Sequence, residues 1–405
     1  MMWGRARLKD LCVDAGQYGL NISADSYSTT GTRLIRTSDI GADGSLRSEG
    51  VFVNVPLQGR FTLKQGDLLL SRSGTLGRSF LTPLAAEGAT FAGYLVRFRP
   101  SRDVDARFLG YVASSQPFQD AIRADAVSST IQNFNAERYA NIPIDVPSYE
   151  EQKRIADFLD AEAARLQRAM ELIKKQLQIL GSREVSLLQE VTALEGVPNV
   201  AVRRVVSRLT SGPRGWGALL ADQGVPFIRI ANIPRSGINM LMDNLAYVDA
   251  PVSAERERTR TRRGDVLVSI TADIGSIGIV DGEAIGGNVS QHIALVRPLI
   301  GRCLPRWLAY ALKAPNANTA LTMSSYGGTK VGLGLADVAG TVIPVPPLTQ
   351  QARLVRRVDE AMEWAADLRG GLRRRKDLLV ERWLALVTAV VTGQIEVRTA
   401  GESKL

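Results

Sequence analysis

Three blocks of this 405-residue chain recur in the same order about 200 residues further on, and no other feature of the sequence constrains the fold as strongly. The distance between paired blocks grows only from 193 to 199 residues, which is the drift that small loop insertions produce. Self-similarity of this kind predicts one structural unit used twice. The paired blocks are GTRLIRTSDI (31–40) with GVPFIRIANI (224–233), GDLLLSRSGTLG (66–77) with GDVLVSITADIG (264–275), and VPSYEEQKRI (146–155) with VPPLTQQARL (345–354).

The first part of each unit alternates short apolar runs with Gly, Pro, Asn and Asp, a pattern typical of strands and turns. Two stretches have helical spacing instead. Each unit is therefore predicted to begin with a mixed α/β domain. The predicted strands lie in residues 33–40, 67–71, 94–99 and 142–146, and the predicted helices are residues 106–115 and 304–314.

After Pro147, and again after Pro347, the chain changes to long segments that contain few helix breakers. An apolar residue recurs there every seven positions, which predicts a long helix with a coiled-coil seam. Ser148 and Glu151 have the spacing of a capping box at the start of the first helix. The seam residues are Leu159, Leu166, Ile173, Leu180, Leu187 and Leu194 in the first helix, and Val358, Ala365, Leu372, Leu379 and Leu386 in the second.

Neither helix can bury such a stripe alone. The economical arrangement packs the two helices on each other in antiparallel directions, as a rod with a globular domain at each end and a pseudo-twofold axis between the units. The alternative is that each helix packs on its own globular domain. Gly370-Gly371 weakens the second helix by about 2 kcal/mol relative to alanines, so a kink or local break is expected there.

Composition disfavours several classes of chemistry. The chain has one histidine, His292, and two cysteines, Cys12 and Cys303, so it lacks a ligand set at zinc spacing, a CxxC motif and a disulfide framework. GGTK at 327–330 lacks the spacing and the final hydroxyl of a nucleotide P-loop. EQK at 151–153 has the letters of a nuclease motif but falls in the first turn of a helix, where acidic residues favour the helix dipole. A structural role is favoured for His292, and no metal or cofactor is predicted.

The formal net charge is +9, from 50 Lys and Arg against 41 Asp and Glu. Nucleic acid is the first partner to consider, because guanidinium groups suit phosphates and guanine edges, and the alternative is a solvated basic surface. Residues 196–347 carry 16 basic and 10 acidic residues, against 16 and 14 in residues 1–148, so the second domain is expected to bind phosphate more strongly. A cluster of five arginines precedes the Gly-Asp block of the second domain. They would face one phosphate backbone or, alternatively, prevent an exposed edge strand from pairing with another chain. The cluster is Arg256, Arg258, Arg260, Arg262 and Arg263.

The loop that follows the duplicated Gly-Asp block differs between the units, with RSGT at 72–75 and ITAD at 270–273. A shared strand with different polar tips would let two copies of one scaffold read different bases, because donors and acceptors distinguish base edges. A glycine-assisted turn with polar filler is the alternative. The predicted DNA-binding residues are Arg36, Arg72, Ser73 and Thr75 in the first domain, and Arg229, Asn232, Arg260, Arg262, Thr271, Asp273 and Lys330 in the second.

This layout resembles the specificity subunits of type I restriction–modification systems over essentially the whole chain. The most specific parts are the two junctions, IPIDVPSYEEQKRIADFLD (142–160) and TVIPVPPLTQQARLVRRVDE (341–360), together with the opening at 3–11 and the ending LVTAVVTGQI (386–395). The second helix departs from the family pattern at Thr349-Gln350-Gln351, where an acidic residue followed by glutamine is more usual, and at its two glycines.

The resemblance implies an α+β protein that does not itself catalyse a reaction and needs no cofactor. It implies binding of double-stranded DNA at a bipartite, asymmetric site, with one half-site for each domain and an unread spacer set by the helices. It also implies docking of two methyltransferase subunits, with restriction subunits added in the full complex. The implied parts are target-recognition domains at 1–148 and 197–347, spacer helices at 149–196 and 348–396, and a tail at 397–405.

Two other functions are compatible with the residues. A scaffold whose domains bind proteins would show little salt dependence with DNA, whereas counterion release makes DNA binding strongly salt-dependent. An autonomous DNA-modifying enzyme would transfer methyl groups as an isolated chain, a function that the missing catalytic motifs disfavour. The chain starts without an apolar signal core and no apolar run reaches the roughly 18 residues of a membrane span, so a cytoplasmic protein without membrane contact is expected.

Overall fold

The computed structural model of the protein describes residues 3–41, 44–127, 133–324 and 332–397. The chain divides into two compact units: unit 1 is residues 1–172 with residues 374–405, and unit 2 is residues 173–373. Among the described helices, none combines the length and the hydropathy that crossing a membrane requires.

The two repeats of the chain, residues 4–192 and 199–391, follow the same order of secondary structure, apart from two elements added in the second repeat. From Gly4 to Thr192 the elements are strands β1 (Gly4–Arg7), β2 (Gln17–Tyr18), β3 (Thr32–Ile35), β4 (Val51–Val53), β5 (Leu68–Ser71), β6 (Ser79–Leu81), β7 (Thr90–Phe91), β8 (Leu95–Phe98) and β9 (Pro143–Val146), and helices α1 (Ala106–Ser114), α2 (Gln116–Val127), α3 (Ala136–Ala140) and α4 (Tyr149–Thr192). From Asn199 to Val391 they are strands β10 (Asn199–Ala201), β11 (Val206–Ser211), β12 (Leu220–Ala221), β13 (Val225–Ile228), β14 (Ala246–Val248), β15 (Val266–Ser269), β16 (Ile277–Ile279), β17 (Asn288–Val289), β18 (Ile293–Pro298) and β19 (Val342–Pro344), and helices α5 (Ala254–Thr259), α6 (Pro305–Lys313), α7 (Pro315–Ser324), α8 (Leu335–Gly340) and α9 (Leu348–Val391).

The sheet topology confirms the predicted internal repeat. A four-stranded antiparallel sheet has the order β2-β8-β5-β6 in unit 1 and β11-β18-β15-β16 in unit 2. A second sheet, β4-β3-β7 or β12-β14-β13-β17, contains one parallel pair in each unit, β3 with β7 or β13 with β17. The outer strands β1 and β9 pair with each other, as do β10 and β19. Unit 2 adds β12 and α5 to the shared plan.

The apolar run of the duplicated Gly-Asp block forms the central strand of each four-stranded sheet. Leu68 and Leu70 of β5 enter a core with α1, whereas Leu69 enters the core on the opposite face. In unit 2, Val266 and Val268 of β15 likewise lie in one core, and Leu267 lies in the core on the opposite face. Successive side chains of a strand point to opposite faces, so a continuous apolar run supports two cores at once.

A duplicated ion pair anchors the start of each central strand. The Arg99 guanidinium donates two hydrogen bonds of 2.7 Å to the carboxylate of Asp67. Arg297 donates two bonds of the same length to Asp265 in unit 2. Both aspartate side chains are 1% exposed. A buried carboxylate is tolerated where such two-pronged partners are present, which explains why an acidic residue stands beside the apolar run.

The first turn of each long helix contains a buried glutamine that bonds to backbone groups outside the helix. Gln152 Oε1 accepts from the N–H of Asp105 at 2.9 Å, and Gln152 Nε2 donates to the carbonyl of Pro147 at 3.0 Å. Gln351 repeats both bonds, each at 2.8 Å, at the equivalent backbone positions of unit 2. The glutamine shared by the two junction motifs therefore fixes the start of α4 or α9 to the segment that precedes α1 or α6.

A tyrosine and an aspartate make a second duplicated attachment. Tyr111 of α1 donates from its hydroxyl to Asp160 of α4 at 2.6 Å, and Arg107 bonds to the same carboxylate at 2.8 Å. Tyr310 of α6 donates to Asp359 of α9 at 2.5 Å. Each globular domain is thus held to a long helix within its own unit.

The contacts between α4 and α9 are antiparallel, as predicted. In unit 1, the first turns of α4 share a hydrophobic core with the last turns of α9. In unit 2, Glu190 pairs with Arg357 and Glu184 pairs with Arg369, so residue numbers rise along α9 as they fall along α4. The structure therefore combines the two arrangements that the sequence leaves open, because the helices pack on each other and on the globular domains.

The buried row on each long helix follows the period of an α-helix. At the end of α4, Leu188 is buried beside the half-buried Leu187, and near the end of α9, Val387 is buried beside the half-buried Leu386. A seven-residue row lags by about 20° per heptad on an α-helix, so after four heptads the next residue lies closer to the buried face. Of the other predicted seam residues, Leu159, Ile173, Leu180, Val358, Ala365 and Leu372 are buried, and Leu166, Leu194 and Leu379 are half-buried.

Helix α9 continues through Gly370 and Gly371, so the local break expected there is absent. The neighbouring Arg369 is paired with Glu184, and Leu372 is buried. Contacts on both sides of the two glycines stabilise the helix against their low propensity, since tertiary packing supplies most of the stability of a protein helix.

Replacement of Gln152 by alanine is expected to lower the free energy of unfolding of the full chain by about 1–3 kcal/mol, because two buried backbone groups lose their partners. Urea titration followed by circular dichroism measures the change. Lys153→Ala, on the same helix and exposed, is the matched control, with an expected change within about 0.5 kcal/mol. Equal losses in the two variants would contradict the role given to the glutamine.

Candidate nucleic-acid interface

In unit 1, three segments meet at the edge of the four-stranded sheet. The N–H of Arg72 donates to the carbonyl of Tyr94 at 2.9 Å, and the N–H of Phe134 donates to the carbonyl of Arg72 at 2.9 Å. Ser73 forms a β-bridge with Asn133. These contacts join the β5–β6 loop, the turn before β8 and the segment before α3. We call this assembly the loop cluster: residues 72–76, 92–94 and 133–134 in unit 1, and residues 270–274, 290–292 and 332–333 in unit 2.

The loop cluster of unit 2 repeats two of these backbone contacts and has different side chains. The N–H of Ile270 donates to the carbonyl of His292 at 3.0 Å, and the N–H of Leu333 donates to the carbonyl of Ile270 at 2.7 Å. An arginine of unit 1 is thus replaced by an isoleucine, and a tyrosine by a histidine. The duplicated scaffold presents two chemically different surfaces.

In unit 1, the Arg72 guanidinium is oriented by two neighbours. Its Nε donates to Asn133 Oδ1 at 3.2 Å, and its carbon lies 4.7 Å from the centre of the Tyr18 ring. The bond to Asn133 uses one of the five N–H donors of a guanidinium. Ser73 lies half-buried next to it, and Thr75 is exposed at the tip of the loop.

In unit 2, the equivalent loop contains both of the polar residues predicted from the sequence. Thr271 Oγ1 lies 3.0 Å from His292 Nδ1. Asp273 is exposed, adopts a left-handed backbone with φ of 56°, and accepts a bond of 2.6 Å from Arg235 Nε. A left-handed conformation is tolerated best by Gly, Asn and Asp, so the turn selects a residue that is also a hydrogen-bond acceptor. The structure therefore brings Thr271 and Asp273 together.

Arg36 and Arg229 lie instead at the ends of the equivalent strands β3 and β13. Two hydrogen bonds, of 2.8 and 3.1 Å, join Arg36 to Asp39 and raise the pKa of the guanidinium, which is 30% exposed. In unit 2, the N–H of Arg229 donates to Asn232 Oδ1 at 2.9 Å, and its guanidinium donates to the carbonyl of Asn244 at 3.2 Å. Asn232 is fully buried. These three side chains stabilise the strand ends, and Asn232 presents no surface to a ligand.

The arginine cluster of unit 2 does not form the alternating approach predicted from the sequence, because residues 254–259 are helix α5. Arg260 and Arg262, which follow the helix, are exposed. Arg260 lies 3.7 Å from Glu257, a loose ion pair that leaves it accessible. Lys330, also predicted to bind DNA, lies outside the described residues.

Both thiols are unsuited to nucleophilic chemistry. Burial raises the pKa of Cys12 and of Cys303 to about 12, so each is protonated near neutral pH, and only a thiolate is a good nucleophile. Within the described ranges, no group of three or more His, Cys, Asp or Glu side chains is placed to hold a metal ion.

Polar contacts join the loop cluster of unit 2 to both long helices. The Arg235 that pairs with Asp273 also accepts, through its carbonyl, a bond of 3.0 Å from Lys313 Nζ. Burial lowers the pKa of Lys313 to about 8, although the negative charge of Glu184 opposes this shift. Ser236, the neighbour of Arg235, donates to Glu184 Oε2 of α4 at 2.9 Å, and Glu184 pairs with Arg369 of α9. The loop is therefore supported by α6 and by the helix pair.

Comparison with known proteins finds similarity to specificity subunits of type I restriction enzymes. Residues 3–178 match the family described as the type I restriction modification DNA specificity domain. The type I restriction enzyme EcoBI specificity subunit of Escherichia coli is 24% identical over 274 residues, which are 61% of this chain and 57% of the relative. The EcoKI specificity subunit of Escherichia coli (strain K12) is 24% identical over 304 residues, 70% of this chain and 63% of the relative. The chain thus spans less than two thirds of the length of these relatives.

Solved structures share the fold at low sequence identity. A chain from work on complex assembly and conformational transition of the type I R-M system has a TM-score of 0.75 and 20% identity over 97% of this chain and 98% of that chain. The HsdS subunit from Thermoanaerobacter tengcongensis has a TM-score of 0.53 and 19% identity over 97% of each chain. They confirm the predicted α+β fold, with two tandem mixed domains and long antiparallel helices.

Raising the pH from about 7 to about 9.5 is expected to stabilise the wild-type chain relative to Lys313→Met. The folded chain loses the Lys313 proton near pH 8, before the unfolded chain does near pH 10.5, so stability rises with pH between the two values. The measurement is the difference in melting temperature between wild type and variant at each pH. Lys153→Met, at an exposed position, is the control. A Lys313→Met difference that does not move with pH would contradict the assignment.

Proposed function

The chain is a relative of the specificity subunits of type I restriction–modification systems, and on that premise we propose that it binds double-stranded DNA at a bipartite, asymmetric site. Each unit reads one half-site through its globular domain, residues 1–148 or 197–347. The helical segments 149–196 and 348–396 continue from one unit into the other, so their length sets the number of unread base pairs between the half-sites.

The observation that carries this proposal is the loop cluster, in which two backbone hydrogen bonds recur in both units while the side chains differ. Arg72 in unit 1 offers several N–H donors, which suit guanine O6 and N7. Unit 2 has Ile270 at that position and offers the hydroxyl of Thr271 and the carboxylate of Asp273. Different donor and acceptor patterns at equivalent positions select different base pairs, and the asymmetry of the site follows from that difference.

Phosphate contacts supply the part of the affinity that does not depend on sequence. Arg260, Arg262 and Arg263 are exposed on the approach to β15 in unit 2. The acidic partners of Arg260 and Arg263, at 3.7 and 3.3 Å, are themselves exposed. Phosphate groups replace such partners readily, because an exposed ion pair contributes about 1 kcal/mol or less.

The chain supplies recognition and leaves the chemistry to other subunits. We infer that two methyltransferase subunits bind along the helices and domains, and that restriction subunits join them in the complete assembly. A methyltransferase cannot reach its target atom inside the duplex, so the adenine to be modified is flipped out of the stack beside the half-site that this chain holds.

The triple variant Arg260→Ala, Arg262→Ala, Arg263→Ala is expected to weaken DNA binding about equally for all sequences and to flatten its salt dependence. Each lost phosphate contact lowers the slope of log affinity against log salt by about 0.9. Fluorescence anisotropy with the full-length chain, together with any subunits that co-purify, measures both quantities. The matched control removes the exposed Arg373, Arg374 and Arg375 of α9. If DNA binding by the wild type did not depend on salt concentration, a scaffold whose domains bind proteins would be favoured instead.

Loss of the gene from its host is expected to abolish adenine methylation at one bipartite motif, and Arg72→Ala and Thr271→Ala are expected to alter opposite halves of that motif. Single-molecule methylome sequencing of strains that carry each variant measures this directly. Unchanged motifs in both variants would remove these two loop positions from the readout, whereas an unchanged methylome in the deletion strain would refute the proposed function.

A further inference from the structure

Tyr94 and His292 occupy equivalent backbone positions in the two loop clusters. Each stands one residue before the strand that follows the turn, β8 or β18. The carbonyl of each accepts the bond from the first residue of the neighbouring loop, Arg72 at 2.9 Å or Ile270 at 3.0 Å. This structural task belongs to the backbone and can be performed by any residue type. The side chains are therefore not determined by the scaffold.

The Tyr94 side chain is 67% exposed, although its turn is firmly anchored. Phe91 and Leu95 on either side of it are fully buried in the same core. The turn thus holds a large aromatic ring at the surface beside Arg72, at a position where its removal would cost the core nothing. An exposed aromatic ring on a rigid support beside polar side chains is typical of a ligand-contacting position.

In unit 2, His292 is also exposed, and its ring is held in one orientation. Its Nδ1 lies 3.0 Å from Thr271 Oγ1, and its Nε2 lies 3.1 Å from Gln291 Nε2. Contacts at both nitrogens orient the imidazole next to the half-buried Thr271 of the loop. The sequence alone favours a structural role for this histidine, and its contact with Thr271 is visible only in the folded chain.

We propose that Tyr94 and His292 are specificity-determining residues, each of which contacts a base pair in the half-site read by its own unit. This inference rests on the proposed function. The tyrosine offers an apolar ring edge and one hydroxyl, which suit a thymine methyl group and a base acceptor. The histidine offers an exposed imidazole ring whose Nδ1 bonds to Thr271 and whose Nε2 bonds to the exposed Gln291, a partner that a base can replace. Because these groups differ, the two positions discriminate different base pairs.

Selection of bound duplexes from a library randomised across the site, with the full-length chain and its co-purifying subunits, tests the inference. Tyr94→Ala is expected to reduce discrimination about 5- to 150-fold at one or two base pairs of one half-site, and His292→Ala to do so in the other half-site. Tyr94→Phe separates the ring from the hydroxyl, since it keeps the first and removes the second.

Leu84→Ala and Ile300→Ala are the matched controls, because both side chains are large, are 66% and 97% exposed, and lie outside the loop clusters of their units. Both controls are expected to keep the wild-type preference. If the wild type selects a bipartite motif and the Tyr94 and His292 variants select the same one equally well, the inference is wrong while the proposed function stands. If the wild type selects no motif, both fail together.

Discussion

The apolar stripes of the two long helices are the constraint on which the rest of the structure depends. A 44-residue helix cannot cover its own stripe, and isolated helices gain little stability from propensity alone. Each stripe is covered in parts, by the opposite helix and by the domain of the unit to which that part belongs. The glutamine and tyrosine–aspartate attachments then orient each domain on its helix. The sheet edges and their loops take their positions from these attachments.

Duplication divides the residues of this protein into two groups with different tasks. The buried Asp67–Arg99 pair and the buried Gln152 recur in unit 2 with nearly the same bond lengths. Positions of the loop cluster do not recur: the exposed Tyr94 is replaced by the exposed His292, and the half-buried Arg72 is replaced by the buried Ile270. A buried polar residue must satisfy its partners, so it changes only at high cost, whereas an exposed loop residue is limited only by what it binds.

The repeat, the central strands and the helices of the fold were predictable from the sequence, because each depends on a local period or on self-similarity. The residues of the candidate site were harder to predict from the sequence. Arg36 and Asn232 follow apolar strands just as Arg72 does, and nothing in their sequence context shows that local hydrogen bonds hold them. Tyr94 and His292 were not predicted as site residues, because their position beside the variable loop depends on strand pairing across about 20 residues. Helix α5 was missed because its six residues fit an alternating pattern equally well.

The division of the two long helices has a consequence for the order in which the chain folds during synthesis. The core of unit 1 contains Leu159 and also Val387, so unit 2 is an insertion within it. Unit 2 can complete its own core as soon as residue 373 has left the ribosome, because every residue that it needs has by then been made. Unit 1, although synthesised first, stays open on one face until the last turns of α9 emerge. The first unit in the sequence is therefore the second to be finished, and a truncated chain would expose the apolar face that α9 covers.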